Sequence, residues 1–367
     1  MQNISVVTSV VILSTSSKPS PFVPPDRIVT GAMRVLIEIV FDLCICSALC
    51  FVGIITNILD LAVFYRQGYK TTVNISMSFM AFFDLVKSSS GLLHRLYGPI
   101  LLHNLVLAKT WENFTRASLA FVQTFAVYTS SVLAGYVAVE RCLCVLIPFT
   151  VKSILTPRFT WVTMSILSLV TYGSFGVVFA FYDYIWEISA VYNQTVGTYT
   201  FSQFYWRNVD VVVPYYNTLG ILWPFTSLVV ISISTFIISY QLQKSSKFRN
   251  SNKKLVADVK NPHIAKPNAE NTQGLGSRDK QVVKMLLAII IVYIFALTPR
   301  IALFIAKFFE PELYLLKTYH NLFFVLAYSC FILDFINSTA NFFIFFAMSS
   351  QFRITLQQIF NIRPAGN

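Results

Sequence analysis

The stretch from Trp111 to Phe149 is an apolar run long enough to cross a bilayer, and it closes on Glu140-Arg141-Cys142 before continuing to Pro148. In hydrocarbon every backbone polar group must be paired internally, so about 20 mostly apolar residues in a row have only the helix open to them. Charges where such a helix meets water cost little, whereas charges inside it are costly and mark function. The remaining chain repeats the pattern. Runs at about 35–65, 73–97, 116–142, 159–182, 212–240, 280–308 and 318–348 predict seven spanning helices in an all-α membrane protein. Only 12% of the 367 residues are charged, about half the share of an ordinary soluble domain.

The ends and loops follow from what lies between the runs. Residues 1–32 are polar and Pro-rich and predict a disordered outer tail. Residues 241–279 form a basic loop: from Gln241 to Gln281 nine basic residues face three acidic ones, half of the chain's net charge of +12. Such a cluster orients a membrane protein by staying cytoplasmic and draws anionic lipid; nucleic-acid binding is set aside. Residues 349–367 predict an amphipathic surface helix, with Phe352, Leu356, Ile359 and Phe360 opposite Arg353, Gln357 and Gln358, and a short tail. Basic turns after the first, third and fifth runs share one side, which puts the N-terminus outside and the C-terminus inside a plasma membrane. The sequons at Asn3, Asn113 and Asn193 then all fall outside. The apolar octet Val6–Leu13 has no basic residue before it and is not read as a signal peptide. None of the six cysteines lies in an outer segment, so no outer disulfide is expected.

The polar residues inside the runs carry the chemistry. The first run has Asn57 as its strongly polar interior residue, and the second has Asp84 and Lys87, three apart and so on one face. Pro224 is expected to break the fifth run and Pro299 to kink the sixth. Histidines are scattered, no phosphate loop or zinc-protease motif occurs, and no nucleophile–base pair is suggested; an enzyme and a cofactor are not expected. A transporter or channel lacks the internal repeat or charge ladder it needs.

In this order the residues resemble the rhodopsin-like G-protein-coupled receptors over nearly all the chain after residue 33. The marks are Asn57, Ala81-Phe-Phe-Asp84, Trp111, Glu140-Arg141-Cys142 with Pro148, Trp161, Pro224, Pro299, Asn337-Ser-Thr-Ala-Asn341-Phe-Phe-Ile-Phe345 and Phe352-Arg353. The seventh run is similar to those of invertebrate FMRFamide-type peptide receptors and molluscan chemosensory receptors. The resemblance implies an extracellular peptide or small-molecule ligand and a heterotrimeric G-protein partner. It implies a switch at Glu140, Arg141, Pro148, Asp279, Pro299, Asn341 and Phe345. It implies a polar core of Asn57, Asp84, Lys87, Ser130, Asn337, Ser338 and Asn341, where the family often holds sodium at positions matching Asp84, Ser130, Asn337 and Asn341. A hard cation wants several such oxygens, but Lys87 is expected to take part of its place. The ligand pocket is expected at Gln123, Thr124, Tyr128, Tyr216, Asn217, Arg300 and Asp334, with Arg300 either receiving a ligand acid or amide or bridging to Asp334. Gln123 stands where amine receptors carry an aspartate, and Phe335 where an opsin carries its retinal lysine. Departures are Arg116 in place of the outer disulfide cysteine, Leu297 in place of the sixth-helix tryptophan, and Phe342 and Phe345 in place of the seventh-helix proline and tyrosine. The alternative is a non-signalling seven-helix protein that kept the fold and lost switch residues.

Overall fold

The computed structural model describes residues 28–190, 192–258, 277–314 and 317–360. Eight helices are numbered here: α1 Gly31–Gln67, α2 Thr72–Arg95, α3 Leu119–Leu146, α4 Pro157–Ser174, α5 Gln203–Asp258, α6 Ser277–Phe309, α7 His320–Met348 and α8 Ser350–Ile359. Their starts are written locally. Thr30, Thr71, Thr156 and Ser349 each accept a hydrogen bond from the backbone N–H three residues on, and Pro157 follows Thr156 at the first helical position.

Six segments are long and apolar enough to cross a membrane: Gly31–Gln67, Leu105–Leu146, Pro157–Ala180, Gln203–Gln241, Leu287–Lys307 and His320–Met348. The chain is a multi-pass bundle of membrane-spanning helices. Leu169, Phe236 and Phe295 stand 73–75% exposed on its outside, an arrangement that suits lipid and not water. Inside, Val63, Phe64, Met80, Leu133, Ile231, Ile289, Phe345 and Phe352 share one packed cluster. Since lipid is as apolar as these side chains, close packing and polar pairing hold such helices together. α2 is not among the six apolar segments because it carries Asp84, Lys87 and Arg95, all buried.

Several segments differ from the sequence expectation. α5 is not broken at Pro224 but runs unbroken through Pro214 and Pro224. A proline removes only one ladder bond, at Pro224 the one to Gly220 O, and the bonds on either side carry the helix past it. α6 likewise continues past Pro299. α5 also extends to Asp258, into the stretch read as loop. The segment 183–210 holds an antiparallel hairpin, β1 Tyr182–Ser189 and β2 Gln194–Phe201, in register from Tyr182↔Phe201 to Ser189↔Gln194. It is the one sheet among the described residues. The connection between the second and third runs is itself helical at Leu105–Arg116, and the third run begins at Leu119, not 116. The expected tail with Asn3 and the loop residues 259–276 lie outside the described residues.

Candidate functional site

A buried polar network sits where α1, α2, α3, α6 and α7 meet. Lys87 Nζ donates to Asp84 Oδ1 at 2.8 Å, Ser130 Oγ to the same oxygen at 2.9 Å, and Asn341 Nδ2 to Asp84 Oδ2 at 3.1 Å. Ser130 Oγ also pairs with Tyr293 Oη at 2.7 Å. Asn57 Nδ2 donates to Gly53 O at 2.7 Å and to Ser338 O at 3.2 Å, while Ser338 Oγ meets Asp84 O at 3.3 Å. The carbonyl oxygens of the Asn57, Asn337 and Asn341 side chains accept nothing from the described residues. Lys87 is 1% exposed, so its ammonium does not reach the surface. These residues do not fit a sodium site: the Lys87 ammonium already pairs with the Asp84 carboxylate that a cation would need.

At the C-terminal end of α3, Glu140 and Arg141 are both buried and bonded to each other. Ser76 Oγ donates to Glu140 Oε2 at 3.1 Å, and Arg141 Nη2 reaches Thr72 Oγ1 at 3.4 Å, so α2 holds both members of the pair. Asp279 lies in the first turn of α6 and Pro148 opens the short helix Pro148–Ile154; their side chains are outside the described residues. A residue the sequence did not single out joins α6 to α7: Gln281 Nε2 donates to Met348 O at 2.6 Å, beside a cavity of about 580 Å³ that Met285, Ile354 and Gln358 also line. Phe345 packs edge-on against Phe64 at 5.3 Å and tilts on Phe352 at 5.5 Å.

In the half of the bundle nearer the α3 N-terminus, Arg300 and Asp334 are buried and ion-paired. The Tyr128 hydroxyl lies beside Arg300, and Arg300 Nε makes no hydrogen bond to the described residues. Above Tyr128 rises a column of rings. Tyr128 leans on Phe175 at 5.2 Å, Phe175 stacks on Phe125 at 4.7 Å, Phe125 meets Phe121 at 5.9 Å, and Phe121 stacks on Tyr182 of β1 at 5.8 Å. Tyr216 edges Phe121 at 6.3 Å. Thr124 bonds back to its own helix at Ala120 O, 2.8 Å. Gln123 is 2% exposed and spends its carbonyl on Arg95 Nη1 at 3.2 Å. Asn217 is exposed, whereas its neighbour Tyr216 is half-buried and Gly220 is buried.

No cysteine lies in the hairpin, and it is tied down without one. Gly197 N donates to Thr110 Oγ1 at 3.1 Å, Asn113 Nδ2 donates to Gly197 O at 3.0 Å, and Phe114 meets Tyr184 and Trp186 at 5.0 and 5.6 Å. Only glycine fits there: a Cβ at Gly197 would come within 2.6 Å of the Phe114 ring and 2.7 Å of Thr110. Asn113, one of the sequons, is thus engaged in this clamp, whereas Asn193 is exposed at the hairpin turn.

The first helix carries more than Asn57. Asp42 sits in a π-helical stretch, Glu38–Cys46, and pairs with the buried Arg95, whose Nε also donates to Asp42 O at 3.1 Å. Asp60 is fully buried with no hydrogen bond to either oxygen from the described residues. The signal for all three was a charge inside an apolar run.

Comparison with curated protein sequences returned no match. Among protein families, the profile of the serpentine type 7TM GPCR chemoreceptor Srw matches residues 45–363, from within α1 to past α8. That family is one of receptors, not enzymes, and the match takes in the polar network, the Glu140–Arg141 pair and the outer ring column. The chain belongs to the Srw family of serpentine 7TM GPCR chemoreceptors.

Proposed function

We propose that the protein passes the binding of an extracellular ligand, a small chemosensory molecule or a short peptide, to a heterotrimeric G protein. The observation that carries this is the buried Glu140–Arg141 pair, held against α2 by Ser76 and Thr72 at the inner end of α3. An arginine that is buried, ion-paired and still left with an unbonded Nε is poised to change partners. In this scheme α2 spans the membrane as the seventh helix, shielded by its neighbours, and α8 lies along the inner surface. The N-terminus is outside, as the basic turns at Arg66–Lys70 and Lys152–Arg158 support.

The ligand acts around Arg300, Asp334, Tyr128 and Tyr216 under the hairpin. It biases a two-state bundle in which α6 moves about Pro299, and Asn341 and Phe345 repack on the inner side. Gln281–Met348 opposes that movement. The family's name supports the chemosensory role. The test is a G-protein activation screen in cells, with wild type and Arg141→Ala expressed equally at the surface. A ligand response lost in Arg141→Ala supports the proposal. Silence to every ligand and G protein favours a non-signalling protein that kept the fold.

A further inference from the structure

Between α5 and α6 the bundle surface opens into a groove of about 350 Å³, lined by Ile221, Pro224 and Phe225 on one side and Ile301, Phe304 and Ile305 on the other. Every lining side chain is apolar. Ile221, Phe225 and Ile305 are 44–49% exposed, so the groove faces hydrocarbon. Gly220 adds no side chain at its edge: a Cβ there would stand 3.9 Å from the Phe304 ring and 3.7 Å from the Tyr128 hydroxyl. Phe304, a wall of the groove, and the Tyr128 hydroxyl thus both lie close to Gly220.

Lys307 lies one turn outward from Phe304, at the end of the apolar segment Leu287–Lys307, where a span meets the interface. Its ammonium sits over the rings of Tyr314 at 4.4 Å, Phe304 at 4.9 Å and Phe323 at 5.6 Å. It has no carboxylate partner among the described residues. The neighbouring outer cations do: Arg95 has Asp42, Arg116 has Glu112, Arg300 has Asp334, and Lys317 has Glu312. An apolar groove in the membrane, with an ammonium that has no carboxylate partner among the described residues lying over one of its wall rings, Phe304, complements an amphiphile with one acidic head. From Ile301 to Lys307 the helix rises about 9 Å, so the chain reaches the groove when the head is at the lysine.

We propose that α5 and α6 form a lateral site for a single-chain carboxylic acid drawn from the outer leaflet, its chain in the groove and its carboxylate at Lys307. The proposal rests on the receptor function above for its purpose, and Phe304 is the side chain through which an occupant would bear on Arg300.

The test uses the purified full-length protein in phosphatidylcholine nanodiscs and requires no G protein. Dodecanoic acid bearing a diazirine near its chain end is photolysed with the protein, and the labelled peptides are mapped; the matching dodecanol probe is run beside it. The acid is expected to label α5 and α6 at concentrations about tenfold below the alcohol, the difference a charge-assisted contact makes. Lys307→Gln is expected to erase that tenfold preference, and Ile221→Trp, on the exposed rim, to lower labelling by both probes. Equal labelling by acid and alcohol in the wild type, or acid labelling unchanged in Lys307→Gln, overturns the proposal. Because labelling is read without signalling, a protein that labels as expected but never drives nucleotide exchange counts against the receptor function and not against this site.

Discussion

Lys87→Met removes an ammonium from the middle of the bundle and little else, since methionine keeps most of the unbranched stem. Asp84 then loses its 2.8 Å contact and retains only Ser130 at 2.9 Å and Asn341 at 3.1 Å. Both groups of the pair are at most 1% exposed, so bulk solvent does not screen the charge left behind. Removing one partner of a buried pair costs about 3–5 kcal/mol because the other charge stays behind. Two rescues follow. Asp84→Asn in the same chain removes the stranded charge and returns most of the loss, a coupling that a double-mutant cycle reads directly. Sodium is the other: with the ammonium gone, the unbonded oxygens of Asn57, Asn337 and Asn341 border a carboxylate that needs a cation. Sodium at a hundred times its Kd would restore about 2.7 kcal/mol. The assay is unfolding of the purified protein in sodium chloride and in choline chloride at equal ionic strength. The wild type is expected to be indifferent to the cation, and Lys87→Met to be destabilised in choline and partly restored in sodium. Equal sodium stabilisation of both, or a loss below about 1 kcal/mol in choline, refutes the reasoning.

Three further outcomes are expected. Asp60→Leu removes two buried oxygens that have no hydrogen bond among the described residues and should stabilise the protein by about 1–3 kcal/mol in the same unfolding assay; a loss of stability would show that Asp60 has a partner. Gly197→Val forces a side chain into the contact with Phe114 and Thr110, an overpacking worth about 1–3 kcal/mol, and should speed protease cleavage in the hairpin while reducing agent leaves the wild type unchanged. Gln281→Ala deletes the α6–α7 hydrogen bond, worth about 0.5–1 kcal/mol at an exposed position, and should raise basal nucleotide exchange about two- to fivefold; unchanged exchange removes Gln281 as a latch.

Hydrocarbon makes span location legible, because a spanning helix must be written as a long apolar run. The exception is instructive: α2 is amphiphilic by composition, and its place in the bundle rests on partners from other helices that no local pattern shows. The same limit hid the Asp42–Arg95 pair, whose members stand 53 residues apart. The members of the polar network were named by the family resemblance, and helix spacing added only that Asp84 and Lys87 share a face. Which of the two Arg300 roles holds could not be anticipated, because the sequence offers Asp334 and a ligand on equal terms; the ion pair forms, and one nitrogen is left over. Asn217 and Tyr216 differ in exposure because one residue of rotation on α5 exchanges inside for outside. The outer hairpin was missed since its Tyr- and Thr-rich strands lie in a segment read only for polarity and turns. Its hold on the bundle runs through Gly197, a residue whose importance lies in what surrounds it.

The central claim is that the Glu140–Arg141 pair couples this bundle to a G protein. Purified protein in nanodiscs, mixed with each major class of heterotrimeric G protein, allows nucleotide exchange to be measured for wild type, Gln281→Ala and Arg141→Ala without any ligand. Exchange above the protein-free rate with at least one class, raised by Gln281→Ala and abolished by Arg141→Ala, is the predicted result. Exchange at the protein-free rate for all three, from protein that unfolds cooperatively and with unchanged stability, would contradict it.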